Sequence, residues 1–418
     1  MFIESLFVFT SAVVCFADKS GNLGTVIFAN VLYRHGDRTP IEPYPNDPYK
    51  NESLWPVPYG QLTNLGKNQQ LNLGRWIRNR YSHLLNDLYS PYDIYIQSTD
   101  IDRTLMSAEA NLAGLYPPHG NQLWNKINWM PIPVHTIPES EDSILAGKKY
   151  CARYEFELDK VLNSPEIRQI NKKNKHLYDY LAEKTGMEIM SLKNVEHLYD
   201  TLFIEVIYNK TLPKWTETVF PDKLKPLATK SFTIHAYNKI LQRLKTGLLL
   251  GEMIDHIEKK SRNALIPDRK LWMYSAHDDT VANMLMTLNL FDPHCPPYTA
   301  TILIELRVDS KNEYFVTISY KNTTEEPNLL TLPGCTALCP LNKFIELTKD
   351  VIPEDWQKEC IMEYKKIGYS INTTAVVTIL TSSILMLVFL VLLIIGFIFW
   401  HYKREHNQHY LRLTTDPI

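Results

Sequence analysis

Apolar residues are arranged along the chain in three units of one design, each a short strand followed by a polar turn and a helix. β-Branched and aromatic residues run together or alternate where strands are predicted, at 25–33, 92–97 and 271–276. Apolar residues recur at helical spacing behind each turn, within 62–81, 105–115 and 281–288. Strands alternating with helices predict an α/β fold whose buried sheet is covered on both faces.

The segment between the second and third units has a different pattern. Residues 118–245 contain few strand-like runs but several helical ones, at 150–162, 175–186 and 231–250. We interpret 118–245 as an α-helical insertion that caps a sheet domain made of 18–117 and 246–360. After the third unit, two alternating runs flank residues 309–312 and predict a hairpin. The expected architecture is a mixed central sheet with helices on both faces plus a smaller α-helical cap domain.

Two long apolar segments predict how the chain meets a membrane. Residues 1–17 are typical of a cleaved secretory signal peptide, although they contain no Lys or Arg. Residues 375–400 carry no charge and are long enough to form a single transmembrane helix. Lys403 and Arg404 follow, and the positive-inside rule then places the tail 401–418 in the cytoplasm. The sequence predicts a single-pass type I membrane protein, with a stem at 361–374.

Length and charge limit the possible functions. The chain has 418 residues, of which 45% are hydrophobic, so it can form two globular units or one with a large insertion. Its formal net charge is −2. A chain so close to neutral has no overall positive potential that would bind nucleic acid, so any anion-binding site must be local.

Cysteines and glycosylation sequons agree with an oxidising compartment. Cys15 would leave with the signal peptide, and an odd number of cysteines would remain: Cys151, Cys295, Cys335, Cys339 and Cys360. The sequence does not say how they pair, but at least one thiol stays free or bonds another chain. The spacing of Cys335 and Cys339 favours a tight disulfide loop over a metal site, because no histidines cluster nearby. Sequons lie on the predicted luminal side at Asn51, Asn209, Asn322 and Asn372.

Charged and nucleophilic side chains follow the carboxyl end of each predicted strand. They are Arg34, His35 and Arg38 in the first unit, Arg103 in the second, and His277 and Asp278 in the third. Because the ends of parallel strands meet at one edge of a sheet, we expect these side chains to form one site. Permanent cations around an imidazole suit the binding and attack of an oxyanion such as phosphate. For Arg103 the alternative is a salt bridge to Asp100 or Asp102.

Three of these segments resemble the motifs of the histidine acid phosphatase family, whose fold is like that of phosphoglycerate mutase. They are RHGDRTP at 34–40, STDIDRTLMS at 98–107 and the pair His277-Asp278. The likeness continues through 60–63, 131–136 and 333–341, and it covers nearly the whole predicted luminal part. The chain is most similar to the lysosomal, prostatic and testicular members.

The resemblance implies an acid phosphatase that needs no cofactor or metal. It gives His35 the role of nucleophile, through a phosphohistidine, and Asp278 that of proton donor to the leaving alcohol. Phosphate would be bound by Arg34, Arg38, Arg103 and His277, with Arg78 as a further arginine at the pocket rim. It also implies the disulfides Cys151–Cys360 and Cys335–Cys339, which leave Cys295 as the odd thiol, and a homodimer.

Near the expected site, two positions depart from the family pattern. Gln97 stands where an arginine is usual, and Asp279 stands where a threonine is usual, which adds a carboxylate beside the expected proton donor. Away from the expected site, Ile204 and Thr301 stand where relatives carry a cystine.

An acidic optimum is expected, because the arginines keep His35 neutral at low pH while Asp278 must be protonated to act as an acid.

The alternative function is a membrane-anchored ectodomain that binds a phosphorylated ligand with little turnover. The presence of both His35 and Asp278 favours the enzyme, acting on a small phosphomonoester or a phosphoprotein.

In the tail, Tyr410 and Leu413 fit a tyrosine-based endocytic signal. The chain is therefore expected in the lysosomal or endosomal lumen or at the cell surface.

Overall fold

The computed structural model describes residues 23–362 and 373–413. The predicted signal peptide, most of the predicted stem and the sequon at Asn372 lie outside the described residues. The chain divides into two compact units at Ile361 and Met362, and each unit is treated separately.

A central mixed sheet organises the first unit. Its strands among the described residues are β1 (Thr25–Arg34), β2 (Ile94–Ser98), β3 (Leu271–Ala276), β4 (Thr301–Val308), β5 (Tyr314–Lys321), β6 (Asn328–Leu330) and β7 (Cys339–Pro340). The strand order is β2-β3-β1-β4-β5-β6, and β7 pairs with β5. Strands β2, β3 and β1 are parallel, whereas β4 and β5 form the predicted antiparallel hairpin.

The helices among the described residues have the following bounds: α1 (Asn64–Arg80), α2 (Asp102–Leu115), α3 (Ala152–Leu162), α4 (Pro165–Lys173), α5 (Lys175–Thr185), α6 (Leu192–Ile207), α7 (Leu224–Ser231), α8 (Lys239–Lys245), α9 (Gly247–Ser261), α10 (Asp278–Thr287), α11 (Leu341–Thr348), α12 (Trp356–Cys360) and α13 (Thr373–Leu413). Short 3-10 helices lie at Glu52–Leu54, Gly120–Gln122, Glu139–Glu141, Lys214–Thr218 and Lys349–Val351.

Strand β1 contributes to hydrophobic cores on both faces of the sheet. Phe28 and Leu32 pack with apolar residues of α9 and α10, whereas Val31 and Tyr33 pack with those of α1 and α2. Successive side chains of a strand point to opposite faces, so a strand buried on both faces must be apolar throughout. This explains the continuous apolar run in the sequence and confirms the expected α/β architecture.

The segment 118–245 contains α3 to α8, which have hydrophobic clusters of their own. One cluster joins α5, α6 and α7, and another joins α3, α4, α8 and α12. The helix predicted at 231–250 is not continuous. Residues 232–238 form turns, and α8 starts afresh where the side chain of Asn238 accepts a hydrogen bond from the backbone N–H of Leu241 (3.0 Å).

Two disulfides cross-link the first unit, and they join the pairs that the family resemblance implied. Cys151–Cys360 ties the start of α3 to α12, across 209 residues, and Cys335–Cys339 closes a short loop. Cys295 is a free thiol.

The second unit contains α13. The stretch Leu380–Arg404 of this helix contains an 18-residue window with a mean hydropathy of 3.0 and is long and apolar enough to cross a membrane. This stretch overlaps most of the predicted span at 375–400. Tyr410 and Leu413 fall within the backbone range of α13, and their side chains lie outside the described residues.

Candidate active site

The ends of β1, β2 and β3 bring the predicted site residues together. Arg34 pairs with Ala276 in the β1–β3 register, and Ser98 pairs with Ser275 in the β2–β3 register. The chain then leaves each strand at the same edge of the sheet. A cavity of about 530 Å³ at this edge is lined by Arg34, His35, Arg38, Arg103, His277 and Asp278, together with other residues. The structure therefore brings six of the predicted site residues into one cavity.

The imidazole of His35 is buried and held in one orientation. Its Nδ1 lies 2.8 Å from the carbonyl oxygen of Gly36. A carbonyl can only accept, so Nδ1 carries the hydrogen and Nε2 keeps its lone pair. The Nε–H of Arg103 donates to this Nε2 over 3.2 Å. Burial, followed by the charges of Arg34 and Arg103, holds the pKa of His35 well below its usual value. His35 is thus a neutral base whose Nε2 lone pair faces the cavity and accepts a hydrogen bond from Arg103.

Gly36 allows the turn after His35 to lie against the first turn of α1. A Cβ on Gly36 would lie 2.3 Å from the carbonyl oxygen of Gly66. Thr63 caps α1 by accepting a hydrogen bond from the backbone N–H of Gly66 (3.1 Å). The Thr63 hydroxyl also donates to Oδ2 of Asp37 over 2.5 Å. These contacts fix the RHGDR segment to the sheet and to α1.

The three arginines around His35 differ in how they are paired. Arg34 lies 2.7 Å from Asp278, through Nη2 and Oδ2, and Arg38 lies 2.9 Å from Asp200. Arg103 has no carboxylate within 4 Å among the described residues, and the alternative of an ion pair with Asp100 or Asp102 is wrong. Burial, together with the charge of nearby Arg38, lowers the pKa of Arg103 to about 10. A half-buried guanidinium without a paired carboxylate favours the binding of an anion.

His277 is connected to Arg103 and to the start of α2. Its Nε2 lies 3.0 Å from the hydroxyl of Thr99, and Nη2 of Arg103 lies 3.5 Å from its Nδ1. The Thr99 hydroxyl is also 2.8 Å from that of Thr104. Since Arg103 can only donate, Nδ1 of His277 accepts and Nε2 carries the hydrogen. Burial lowers the pKa of His277 to about 4, although the charge of Asp279 opposes the shift.

Thr99 therefore orients His277 and does not cap α2. The N-cap of α2 is Ile101, which makes no side-chain hydrogen bond. The hydroxyl of Ser98 donates to the carbonyl oxygen of Thr99 over 2.8 Å, so it does not cap the helix either. The hydroxyl of Thr104 donates back to the Ile101 carbonyl over 2.7 Å.

Asp278 and Asp279 are the first two residues of α10, and both line the cavity. Carboxylates are favoured at this end of a helix. Burial raises the pKa of Asp278, but the charges of Arg34 and Arg38 outweigh it and lower the value to about 2. Asp278 is therefore ionised in the free protein at mildly acidic pH, which differs from the sequence expectation that low pH alone would protonate it.

Two residues that sequence reasoning missed complete the site. Asp200 reaches Arg38 from α6, on the face of that helix that also carries Glu196 and Phe203 into the cavity lining. The ring of Tyr298 lies 4.3 Å from the guanidinium carbon of Arg34. The spacing of residues 196, 200, 203 and 207 along α6, close to helical periodicity, was a signal for this face in the sequence. Nothing in the sequence marked Tyr298.

Arg78 does not line this cavity. Its Nη2 lies 2.7 Å from Oδ1 of Asp87, and its Nη1 donates to the carbonyl oxygen of Asn86 over 2.7 Å. The expectation of a rim arginine at this position is corrected, because the loop after α1 captures the guanidinium.

A comparison with protein-family models decides the family. Residues 25–321 match the model of the histidine phosphatase superfamily (branch 2). The chain belongs to this family. The match includes all three strand ends and the six residues gathered around the cavity.

Known members of the histidine phosphatase superfamily resemble the chain over most of its length. Prostatic acid phosphatase from Bos taurus is 43% identical over 347 residues, which are 81% of this chain and 88% of that protein. Lysosomal acid phosphatase from Homo sapiens is 38% identical over 378 residues, covering 88% of each protein.

Solved structures of phytases share the fold. The phytase from Citrobacter braakii superimposes with a TM-score of 0.62 and 17% sequence identity, covering 81% of this chain and all of that one (100%). The phytase from Klebsiella sp. ASR1 gives a TM-score of 0.61 at 17% identity, covering 81% and 99%.

Proposed function

We propose that the chain is an acid phosphatase that hydrolyses phosphate monoesters through a covalent phosphohistidine, without a metal ion. Membership of the histidine phosphatase superfamily and the likeness to prostatic and lysosomal acid phosphatases support phosphatase activity. One observation carries the finer mechanism: the lone pair on Nε2 of His35 lies among three guanidinium groups, beside a paired carboxylate.

In the first step, Nε2 of His35 attacks the phosphorus of the bound ester. The P–N bond forms while the P–O bond to the alcohol breaks, and Asp278 gives its proton to the departing oxygen. Arg34, Arg38 and Arg103, with His277, neutralise the equatorial oxygens of the transferred group. Fixed cations can do this without a metal ion, because phosphoryl transfer requires mainly positioning and charge stabilisation.

In the second step, water attacks the phosphohistidine from the side that the alcohol has left. Asp278, now a carboxylate, accepts a proton from this water, the P–N bond breaks, and inorganic phosphate leaves. His35 regains its lone pair and Asp278 its proton. Dividing one displacement into two is the usual advantage of a covalent nucleophile.

The proton on Asp278 enters with the substrate. A phosphate ester has a second pKa near 6, so at acidic pH it binds as a monoanion that carries a proton. Its oxygens compete with Asp278 for Arg34, and its charge disfavours the Asp278 carboxylate. Both effects raise the pKa of Asp278 above the value of about 2 in the free protein. Activity is therefore expected to be highest at acidic pH, where the monoanion predominates.

The decisive experiment is trapping with a ³²P-labelled phosphomonoester under an alkaline quench, because a phosphohistidine is stable in alkali and is hydrolysed in acid. We expect the wild-type chain to retain label with the acid lability of a phosphoramidate, His35→Ala to retain none, and the control His176→Ala, an exposed histidine of α5, to behave as wild type. Hydrolysis by wild type without any trapped label would argue against the covalent step. Phosphate binding without hydrolysis would favour a ligand-binding ectodomain.

The placement of the chain in the cell is also a proposal. We infer a type I membrane protein whose catalytic domain (18–117 and 246–360), helical cap (118–245) and glycans face the lysosomal lumen or the cell exterior. Asn51 and Asn209 are exposed and Asn322 is partly exposed, as glycan acceptors must be. Deletion of 405–418, which contains Tyr410 and Leu413, should increase surface labelling of the protein if the tail directs it to lysosomes.

A homodimer, which the family resemblance implies, can be checked by light scattering.

A further inference from the structure

A second, smaller cavity lies beside the catalytic one. Its volume is about 210 Å³, and its lining includes Lys148, Lys149, Tyr154, His235 and Lys245. Lys148 lines the catalytic cavity as well, so the two cavities meet at this residue. A group bound in the smaller cavity would therefore share Lys148 with a ligand of the catalytic cavity.

The lining of the smaller cavity has an excess of unpaired positive charge. Of its lining residues, Glu155 alone carries a carboxylate. Lys148, Lys149 and Lys245 have no carboxylate within 4 Å in the part of the chain that the structure describes. Three ammonium groups around one concavity, without counter-ions, create a local positive potential that attracts an anion.

Lys245 is the central cation of this cavity. It is the last residue of α8 and is partly buried, and its Nζ donates a hydrogen bond to the carbonyl oxygen of Gly147 over 2.9 Å. Nζ also lies 5.6 Å from the centre of the Tyr154 ring. An ammonium group has three donors, and only one of those of Lys245 is used within the described residues. Burial lowers the pKa of Lys245, and a bound anion would offset this loss.

Asp279 links the two cavities electrostatically. Its carboxylate lines the catalytic cavity, and its ionised form is favoured by the charge of His277 and, from the smaller cavity, by that of Lys245. The ammonium group of Lys245 is therefore near enough to Asp279 to affect the ionisation of its carboxyl group. His235 is held by Tyr154, whose hydroxyl lies 3.2 Å from Nδ1 of the imidazole.

We propose that the smaller cavity is a second anion subsite and that the enzyme prefers phosphomonoesters that carry a second phosphate group. The phosphate to be cleaved binds at Arg34, Arg38 and Arg103, and the other binds at Lys148, Lys149 and Lys245. The proposal depends on the proposed function, because the preference is a property of the hydrolysed substrate. It assigns to these lysines a role in substrate selection and none in the chemical step.

The test compares substrates that differ only in the second charge. Bisphosphates of linear α,ω-alkanediols of increasing length are compared, in the full-length chain in detergent, with the alkyl monophosphates of the same length. For wild type we expect one length at which the kcat/KM of the bisphosphate exceeds that of the monophosphate by about tenfold, beyond the factor of two for its two equivalent ends. The advantage should appear in KM and should shrink as ionic strength rises.

The variants separate the subsite from the catalytic centre. The double variant Lys149→Gln/Lys245→Gln should reduce the bisphosphate advantage to about the statistical factor. The kcat/KM of each bisphosphate is divided by that of the matched monophosphate in the same variant, so any effect of Lys245 on the catalytic cavity cancels. If the loss of Lys245 disturbs folding, the single variant Lys149→Gln, which changes only an exposed side chain, is used in place of the double variant. The matched control is Lys172→Gln/Lys173→Gln, two exposed lysines at the end of α4.

Each outcome is decisive. A wild-type enzyme that hydrolyses monophosphates but shows no preference at any chain length overturns the subsite and leaves the proposed function intact. A preference that the lysine variants retain also overturns it. Failure to hydrolyse any monophosphate would instead overturn the proposed function.

Discussion

The carboxylate of Asp278 lies 2.7 Å from Nη2 of Arg34, so the proposed acid and one of the proposed phosphate ligands bind each other in the free protein. This ion pair holds the pKa of Asp278 near 2 against the effect of burial. Substrate must displace one partner from the other before Asp278 can hold a proton. The binding of phosphate is thus coupled to the protonation of Asp278.

Asp278→Asn should therefore affect substrates according to their leaving group. An asparagine can still accept a hydrogen bond from Arg34 but cannot give or take a proton. We expect kcat to fall by about 10²- to 10⁴-fold for an alkyl phosphate. With p-nitrophenyl phosphate, whose phenolate leaves without protonation, the first step should survive and the second should be slow. Stopped-flow measurements should then show a burst of nitrophenolate equal to the enzyme concentration. Equal losses of kcat for both substrates, without a burst, would contradict the assignment.

Asp279 places a further negative charge in the lining of the catalytic cavity. Asp279→Asn should lower the KM for a monophosphate roughly fivefold, because it removes a charge that repels the substrate. It should leave kcat nearly unchanged. The pKa of His277 should fall further, since the charge of Asp279 opposes the lowering caused by burial. Initial rates at pH 5 measure the effect, with Asp222→Asn, an exposed carboxylate, as the control. An unchanged or higher KM would mean that Asp279 serves another purpose.

Local sequence patterns were sufficient to predict the three parallel strands, the hairpin and the five residues gathered around His35. Each strand is a run of apolar or alternating residues, and the chemistry follows directly at its end, so the prediction needed only the rule for parallel strands. Asp200 and Tyr298 could not be found in this way. They reach Arg38 and Arg34 from α6 and from the loop before β4, and only the tertiary fold brings them there.

Arg78 shows why a motif position alone did not determine a role. Its partner Asp87 lies nine residues further along, in a loop whose course the sequence pattern did not predict. The ionised state of Asp278 was missed for a related reason, because it depends on a 2.7 Å contact between residues far apart in the chain.

Cys295 is a free thiol in the cavity lining, and it should be unreactive. Burial raises its pKa to about 11, so very little thiolate is present at neutral pH. We expect the folded protein to resist iodoacetamide at pH 7 and to gain one label at this position after denaturation. Cys295→Ser should keep its activity and lose that label, as read by mass spectrometry. Rapid alkylation of the folded protein at Cys295 would contradict a half-buried thiol that stays protonated.

The last prediction concerns stability and rests on Asp47 and Glu205, two buried carboxyl groups that join the loop after β1 to α6. If both were ionised, Oδ2 of Asp47 and both oxygens of Glu205 would lack a hydrogen-bond donor among the described residues. Burial, followed by the charge of Asp47 and a hydrogen bond with it, raises the pKa of Glu205 to about 8. One proton is therefore shared between the two groups at acidic and neutral pH.

Because the pKa of Glu205 is higher in the folded chain than the usual 4.5, the folded state binds more protons between these values. The stabilisation that this bound proton gives the folded state is complete below about pH 4.5 and is lost as the pH rises through about 8. Glu205→Gln can donate its amide hydrogen to Asp47 at any pH. We expect the free energy of unfolding of wild type to fall, relative to that of Glu205→Gln, by on the order of 1 kcal/mol or more between pH 5 and pH 8. Thermal melting across this range measures the difference, and Glu188→Gln, an exposed site on the same unit, should run parallel to wild type. If the melting temperature of Glu205→Gln changed with pH in the same way as that of wild type, the shared proton would not exist.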